Sequence, residues 1–238
     1  MASTGAVTTR AAKSALLDAI PGLVHGFEQR PEDAPREDRE ATRARVARAV
    51  APFGRLHLMH QVHGARVQRA PWEGRPEGDV ALTDTPGELV GVETADCLPV
   101  LIADPRRRVA AAVHAGWRGT LAGAARTAVA ALVAEGSEPA DLVAAAGPCN
   151  AACCYEVGPD VRDAFGDPGR DLFRPGRGER PHLDVRAANV RQLVEAGVPR
   201  GQIDAIDHCT SCRPDLYHSY RREGKGGGRM VNWIGFSR

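Results

Sequence analysis

Residues 92–120, VETADCLPVLIADPRRRVAAAVHAGWRGT, decide how the chain is built. Two apolar runs rich in β-branched residues, Pro99–Ala103 and Val109–Val113, flank a charged Asp-Pro turn and predict two strands with a tight connection. Cys97 immediately precedes the first strand. His114 follows the second, just ahead of the turn Ala115-Gly116-Trp117-Arg118-Gly119. Pairing as an antiparallel hairpin would bring these outer ends together, so that a thiol and an imidazole share one sheet edge. Such a pair serves a soft metal, a nucleophile with its base, or a buried cysteine beside a hydrogen-bonded histidine.

Downstream, Leu121, Ala124, Ala128 and Leu132 recur at helical spacing across Thr120–Glu135, with Gly136 as the closing glycine. Leu142–Ala146 reads as a strand and Pro159–Phe165 as a helix. Val185–Ala196 is a second helix, capped by Asp184. Ile203–Ile206 and Met230–Ile234 complete the strands. Upstream, Asp79–Leu82 and Glu88–Val92 are short strands. Leu56–Gly64 alternates before a glycine and Arg66–Arg69 resumes, which predicts a hairpin with His63 at its tip. A helix over Arg39–Val50 follows the strand Leu23–Phe27 and the Pro- and charge-rich loop Gln29–Asp38; its weakly apolar face places it at the periphery. Strands dominate without a strict βαβ rhythm. The expected fold is α/β, with mixed β-sheets and helices packed outside, in one domain over residues 23–238. Residues 1–22 are expected to form a poorly ordered N-terminal extension.

Composition narrows the partners. Thirty-one basic residues against thirty acidic ones leave no net field for nucleic acid or an anionic membrane. No stretch approaches a membrane span and the first twenty residues contain no apolar signal core, so a cytoplasmic protein is expected. The six cysteines are then better read as thiols than as a disulfide framework.

Three potential ligands, His63, Cys97 and His114, fall at turns rather than within core runs. Two imidazoles and a thiolate match an open zinc site that keeps its fourth position for water. The remaining cysteines offer a rival. Cys209 and Cys212 have CxxC spacing, and Cys149, Cys153 and Cys154 are candidates to complete a structural site, but CNAACC is not a second knuckle. These five are therefore expected to be reduced and not to bind zinc. Ser219-Tyr220-Arg221-Arg222 groups guanidiniums with hydroxyls, either as a solvated face or as an oxyanion clamp, and Arg118 beside His114 has the same capacity. Gly224–Arg229 lacks the strand–loop–helix setting of a nucleotide loop.

Five segments occur in order: Gln61-Val62-His63-Gly64, Thr94-Ala95-Asp96-Cys97-Leu98-Pro99, His114-Ala115-Gly116-Trp117-Arg118-Gly119, Gly147-Pro148-Cys149 with Cys154-Tyr155-Glu156-Val157-Gly158, and Ser219-Tyr220-Arg221-Arg222. Together they resemble the laccase-domain family, also called multicopper polyphenol oxidoreductase or purine nucleoside phosphorylase family proteins, from about Leu23 onward. The resemblance implies an α/β fold with mixed sheets and a zinc site on His63, Cys97 and His114. It also implies phosphorolysis of adenosine, inosine and methylthioadenosine, and deamination of adenosine. Two departures stand out. After His25-Gly26-Phe27 the family's Arg-x-Gly-Gly-x-Ser loop is missing, which implies a shortened loop at the pocket. Gly227-Gly228-Arg229-Met230 replaces a Thr-Gly-Arg-Met run.

The chemistry expected is that of zinc rather than copper, because none of the eight histidines forms the His-x-His pairs of a laccase cluster. Cys97, His114 and Asp96 are the expected catalytic groups, with Asp96 or Glu93 moving the proton in deamination. Gln61, Arg118, Ser219, Arg221 and Arg222 are the expected substrate contacts, the arginines for phosphate. A metal-free cysteine hydrolase of amides or esters, such as a cell-wall precursor, with Cys97 as nucleophile and His114 as base, is the first alternative. A copper-dependent polyphenol oxidase is the second.

Overall fold

The computed structural model describes residues 9–31 and 38–238; residues 1–8 of the expected extension and 32–37 of the expected loop lie outside them. In chain order the strands are β1 (Ala11–Ala12), β2 (Leu23–Glu28), β3 (Arg55–Leu58), β4 (Val67–Arg69), β5 (Val80–Thr83), β6 (Glu88–Thr94) and β7 (Leu98–Asp104). They continue with β8 (Val109–Ala115), β9 (Val143–Ala146), β10 (Phe173–Arg177), β11 (Arg180–Leu183), β12 (Ile203–Ala205) and β13 (Met230–Phe236). The helices are α1 (Ala15–Asp18), α2 (Arg39–Val50), α3 (Trp117–Leu121), α4 (Ala124–Ala134), α5 (Pro159–Phe165), α6 (Val185–Glu195) and α7 (Tyr220–Glu223).

The expected central hairpin forms. β7 and β8 pair antiparallel with Leu98 opposite Ala115 and Pro99 opposite His114. They occupy the middle of a six-stranded sheet ordered β12-β9-β7-β8-β5-β4, and a five-stranded sheet ordered β1-β2-β13-β6-β3 packs on it. Both sheets mix parallel and antiparallel pairs.

Strand side chains alternate between faces, so a run that is apolar throughout must be covered on both. In β7 and β8, Leu98, Val100, Ile102, Ala111 and Val113 join the core beneath α4 and α6, while Leu101, Ala103, Ala110 and Ala112 face the other sheet. In the five-stranded sheet Val90, Val92 and Ile234 face inward. Leu89, Val231 and Trp233 face outward onto Val46 and Val50 of α2. Four layers result: α2, two sheets, then α4 with α6. Each fully buried Val or Leu contributes roughly 1.5–3 kcal/mol. The same alternation puts His114 on the face of Ala110 and Ala112, at one end of the layer between the sheets.

Several expectations are corrected. Residues 56–69 do not form a hairpin, because β3 pairs with β6 in one sheet and β4 with β5 in the other, both in parallel. Alternation marks a segment as extended but not its partner. The helix expected over Thr120–Glu135 is two, α3 and α4, broken at Gly123, whose φ of 75° suits a residue without a Cβ. Residues 11–20 are part of the fold: β1 extends the sheet beside β2, and Leu17 is fully buried between the layers. The β10–β11 hairpin had no sequence expectation.

Candidate active site

Two connections cross from the five-stranded sheet to the six-stranded one and meet at the His114 end of β8. The β3–β4 connection carries His63, and the β6–β7 connection carries Asp96 and Cys97. The ligand atoms of His63, Cys97 and His114 lie within 4.8 Å of one another. The two imidazoles stand edge to face, with centroids 4.9 Å apart and planes at 74°. His63 (φ 61°) and Asp96 (φ 89°) adopt left-handed backbone conformations, uncommon outside glycine, in the turns that aim these groups. Gly116 permits the close approach, since a Cβ there would lie 2.9 Å from the Cys97 Sγ.

Asp79, just ahead of β5, organises the cluster, although nothing in its sequence setting marks it as a site residue. It is fully buried. Its Oδ1 accepts the His63 N–H (3.0 Å) and lies 2.7 Å from His114 Nδ1, and its Oδ2 accepts the Gly64 N–H (2.7 Å). One carboxylate therefore fixes the turn carrying His63 and orients the His114 ring, leaving Nε2 free to act. Burial alone would raise the Asp79 pKa; the bonds from His114, Gly64 and His63 prevail and hold it below the ordinary value. Burial also opposes a Cys97 thiolate, but the charge of His114 and hydrogen bonds from His114 and His63 prevail and lower that thiol. His114 is raised in turn: burial disfavours its cation, and Cys97 and Asp79 outweigh the burial. Two oriented imidazoles and an ionisable thiol fit a zinc-type ion, and three protein donors leave a fourth position.

The three donors line a cavity of about 520 Å³, within the usual range for small-molecule sites. Asp96 lines it too, with Oδ1 accepting from Thr210 Oγ1 (2.6 Å) and Oδ2 from the Arg221 N–H (2.6 Å). Arg118 and Arg221 reach the wall, Arg118 against the Trp117 ring (4.2 Å) and Arg221 beside Tyr155 (5.8 Å). Gln61 lines the cavity while its amide pairs with the Glu93 backbone, donating to the carbonyl (2.8 Å) and accepting from the N–H (2.7 Å). Ser219 and Arg222 are not brought to the wall. Ser219 is buried and caps α7, and Arg222 donates to the carbonyls of Thr210, Ser211 and Tyr217. Their hydroxyl and guanidinium close the chain's own backbone groups, the competing use of such residues. Arg39, Arg43, Arg75 and Arg229 also line the cavity. They are scattered single arginines in an arginine-rich chain, with no local signal to single them out.

The sequence matches the family described as multi-copper polyphenol oxidoreductase laccase over residues 26–237. It is 40% identical over 237 residues to a Deinococcus radiodurans protein named purine nucleoside phosphorylase, covering 98% of this chain and 89% of that one. Over 161 residues it is 37% identical to adenosine deaminase RL5 from an unknown prokaryotic organism, covering 66% of this chain and 61% of the relative. The crystal structure of YlmD from Geobacillus stearothermophilus superposes with a TM-score of 0.83 at 28% identity, covering 98% of this chain and 100% of that one. A Neisseria meningitidis protein, NMB0706, gives 0.84 at 27% identity over 97% of this chain and 100% of that one. Agreement in sequence and in fold across nearly the whole length makes this chain a member of the laccase-domain family.

Proposed function

We propose that the protein is a zinc-dependent purine nucleoside enzyme that phosphorolyses adenosine, inosine and methylthioadenosine and deaminates adenosine. The observation that carries this reading is a three-donor set on the wall of a cavity where six guanidiniums face only two carboxylates. Such a surplus of positive charge suits an anionic co-substrate. The names of the relatives support the purine class. Zinc held by His63, Cys97 and His114 would supply Lewis acidity beside the substrate.

The remaining groups divide the work. Arg118 and Arg221 hold phosphate against the anomeric carbon, and the aromatic rings of Trp117 and Tyr155 on the cavity wall pack against the base. Glu93 is committed to ion pairs with Arg43 (2.9 Å) and Arg75 (2.5 Å), and Asp96, held on the cavity wall beside Cys97 by Thr210 and the Arg221 N–H, carries the proton in deamination. Among the described residues only one potential metal cluster contains histidine, which supports zinc over a multicopper centre.

The test follows inosine and adenosine by chromatography with metal-replete protein. Hypoxanthine release that requires phosphate, and conversion of adenosine to inosine that does not, are the expected results. Absence of both overturns the proposal. A second reading has its own observation: Cys97, His114 and Asp79 form a nucleophile, base and orienting carboxylate in sequence. A hydrolase of that kind would keep its activity under chelation and in His63→Ala, whereas the zinc enzyme loses it in both.

A further inference from the structure

β9 and β12 are parallel neighbours, with Ala146 beside Ala205, so the loops that leave their ends emerge side by side. The pairing continues past the strands. Cys149 bridges to Cys209, the Cys149 N–H donating to His208 and the Thr210 N–H to the Cys149 carbonyl (2.9 Å). Beyond that bridge each chain turns tightly. The N–H groups of Cys154 and Tyr155 both donate to the Ala151 carbonyl (2.8 Å), and the Arg213 N–H donates to the Cys209 carbonyl.

The two turns face each other with four thiols between them. The sulfurs of Cys153, Cys154, Cys209 and Cys212 all lie within 4.8 Å of one another, with Cys153 to Cys212 at 3.7 Å and Cys154 to Cys212 at 3.3 Å. A tetrahedral ion with Zn–S bonds of about 2.3 Å places its sulfurs about 3.8 Å apart. A disulfide needs roughly 2.05 Å. Cys153 and Cys212 are exposed, so an ion can enter from solvent. Cys149 stands apart, fully buried in the core beneath the helices.

We propose that Cys153, Cys154, Cys209 and Cys212 form a second metal site, structural and of the zinc class, that staples together two loops of the cavity wall. The proposal departs from the expectation that none of these thiols binds zinc. The CxxC knuckle is completed by an adjacent pair, which parallel strand pairing brings opposite it. The staple has a clear load. One loop carries Tyr155, and the other carries Thr210, which with the Arg221 N–H holds the Asp96 carboxylate. Four thiolates close the coordination shell, so no substrate enters there. Binding a divalent ion releases the thiol protons and requires no oxidant.

The decisive protein is Cys97→Ala, in which the cavity site is already disabled, so the outcome does not depend on the proposed catalytic zinc. Purified without chelator, it should retain one zinc per chain by native mass spectrometry and elemental analysis. Its cobalt-substituted form should show strong sulfur-to-metal charge transfer. Cys97→Ala combined with Cys212→Ser or with Cys153→Ser should lose both signals. Metal-free Cys97→Ala with four freely alkylated thiols overturns the site. So does a mass lower by two hydrogens, which would reveal a disulfide in its place.

Discussion

His63, Cys97 and His114 differ from Cys153, Cys154, Cys209 and Cys212 in number as well as in kind. The first cluster has three donors of mixed chemistry, opens on a cavity and is held from behind by a buried carboxylate. The second has four identical donors, from exposed Cys153 and Cys212 to buried Cys209, on two turns that face each other. Each cluster runs from an exposed donor to a buried one, yet four donors close a coordination shell and three keep a place for a reactant. Solvent exposure is therefore a poor guide to which of two thiol sites is reactive. Donor count and the cavity decide it.

The comparison breaks most visibly at the first cluster. His114→Ala should lower both nucleoside activities roughly a thousandfold, since a Lewis acid supplies several kcal/mol. The four-thiol metal should remain by elemental analysis; loss of both metals together would show that the clusters are not independent. Asp79→Asn should weaken the cavity metal by roughly ten- to a hundredfold in chelator competition, because it removes the charge behind His114. The four-thiol site should titrate as in the wild type.

Arginine changes sharpen the picture on the wall between the clusters. Arg221→Ala should reduce phosphorolysis by about ten- to a hundredfold, the loss of one charge-assisted contact, with deamination falling less. Arg222→Ala should instead lower Tm in a thermal melt, since its guanidinium holds three loop carbonyls. Equal ratios of the two activities in wild type and Arg221→Ala would move the phosphate contact to Arg118. The smallest effect on turnover belongs to Cys212→Ser, which should lower Tm and raise the KM for nucleoside by slackening the Tyr155 side of the cavity.

How much of this was legible follows from what local sequence encodes. The β7–β8 hairpin could be read because both of its faces are covered, which leaves an unbroken apolar signature. The same hairpin register brings Cys97 and His114 together, so the mixed cluster was visible in outline. Asp79 was not, because a lone aspartate ahead of an apolar run looks like any strand entry; its meaning lies in groups 15 to 35 residues away. The segment 56–69 misled because its two halves join different sheets, and no local pattern names a distant partner. Ser219 and Arg222 carry the composition of an anion clamp, yet both are spent on backbone groups: Ser219 accepts the Arg222 N–H, and Arg222 donates to the Thr210 carbonyl.

The place of β13 governs when the molecule can be completed during synthesis. This strand, residues 230–236, lies between β2 and β6 in the middle of the five-stranded sheet. All three ligands of the mixed cluster have been translated by residue 114, but the sheet from which their two loops spring stays split until residue 236 clears the ribosome. Until then the facing edges of β2 and β6 have no partner and can pair with another nascent chain. The three donors are thus made by mid-chain, while the sheet that carries their loops closes only with β13.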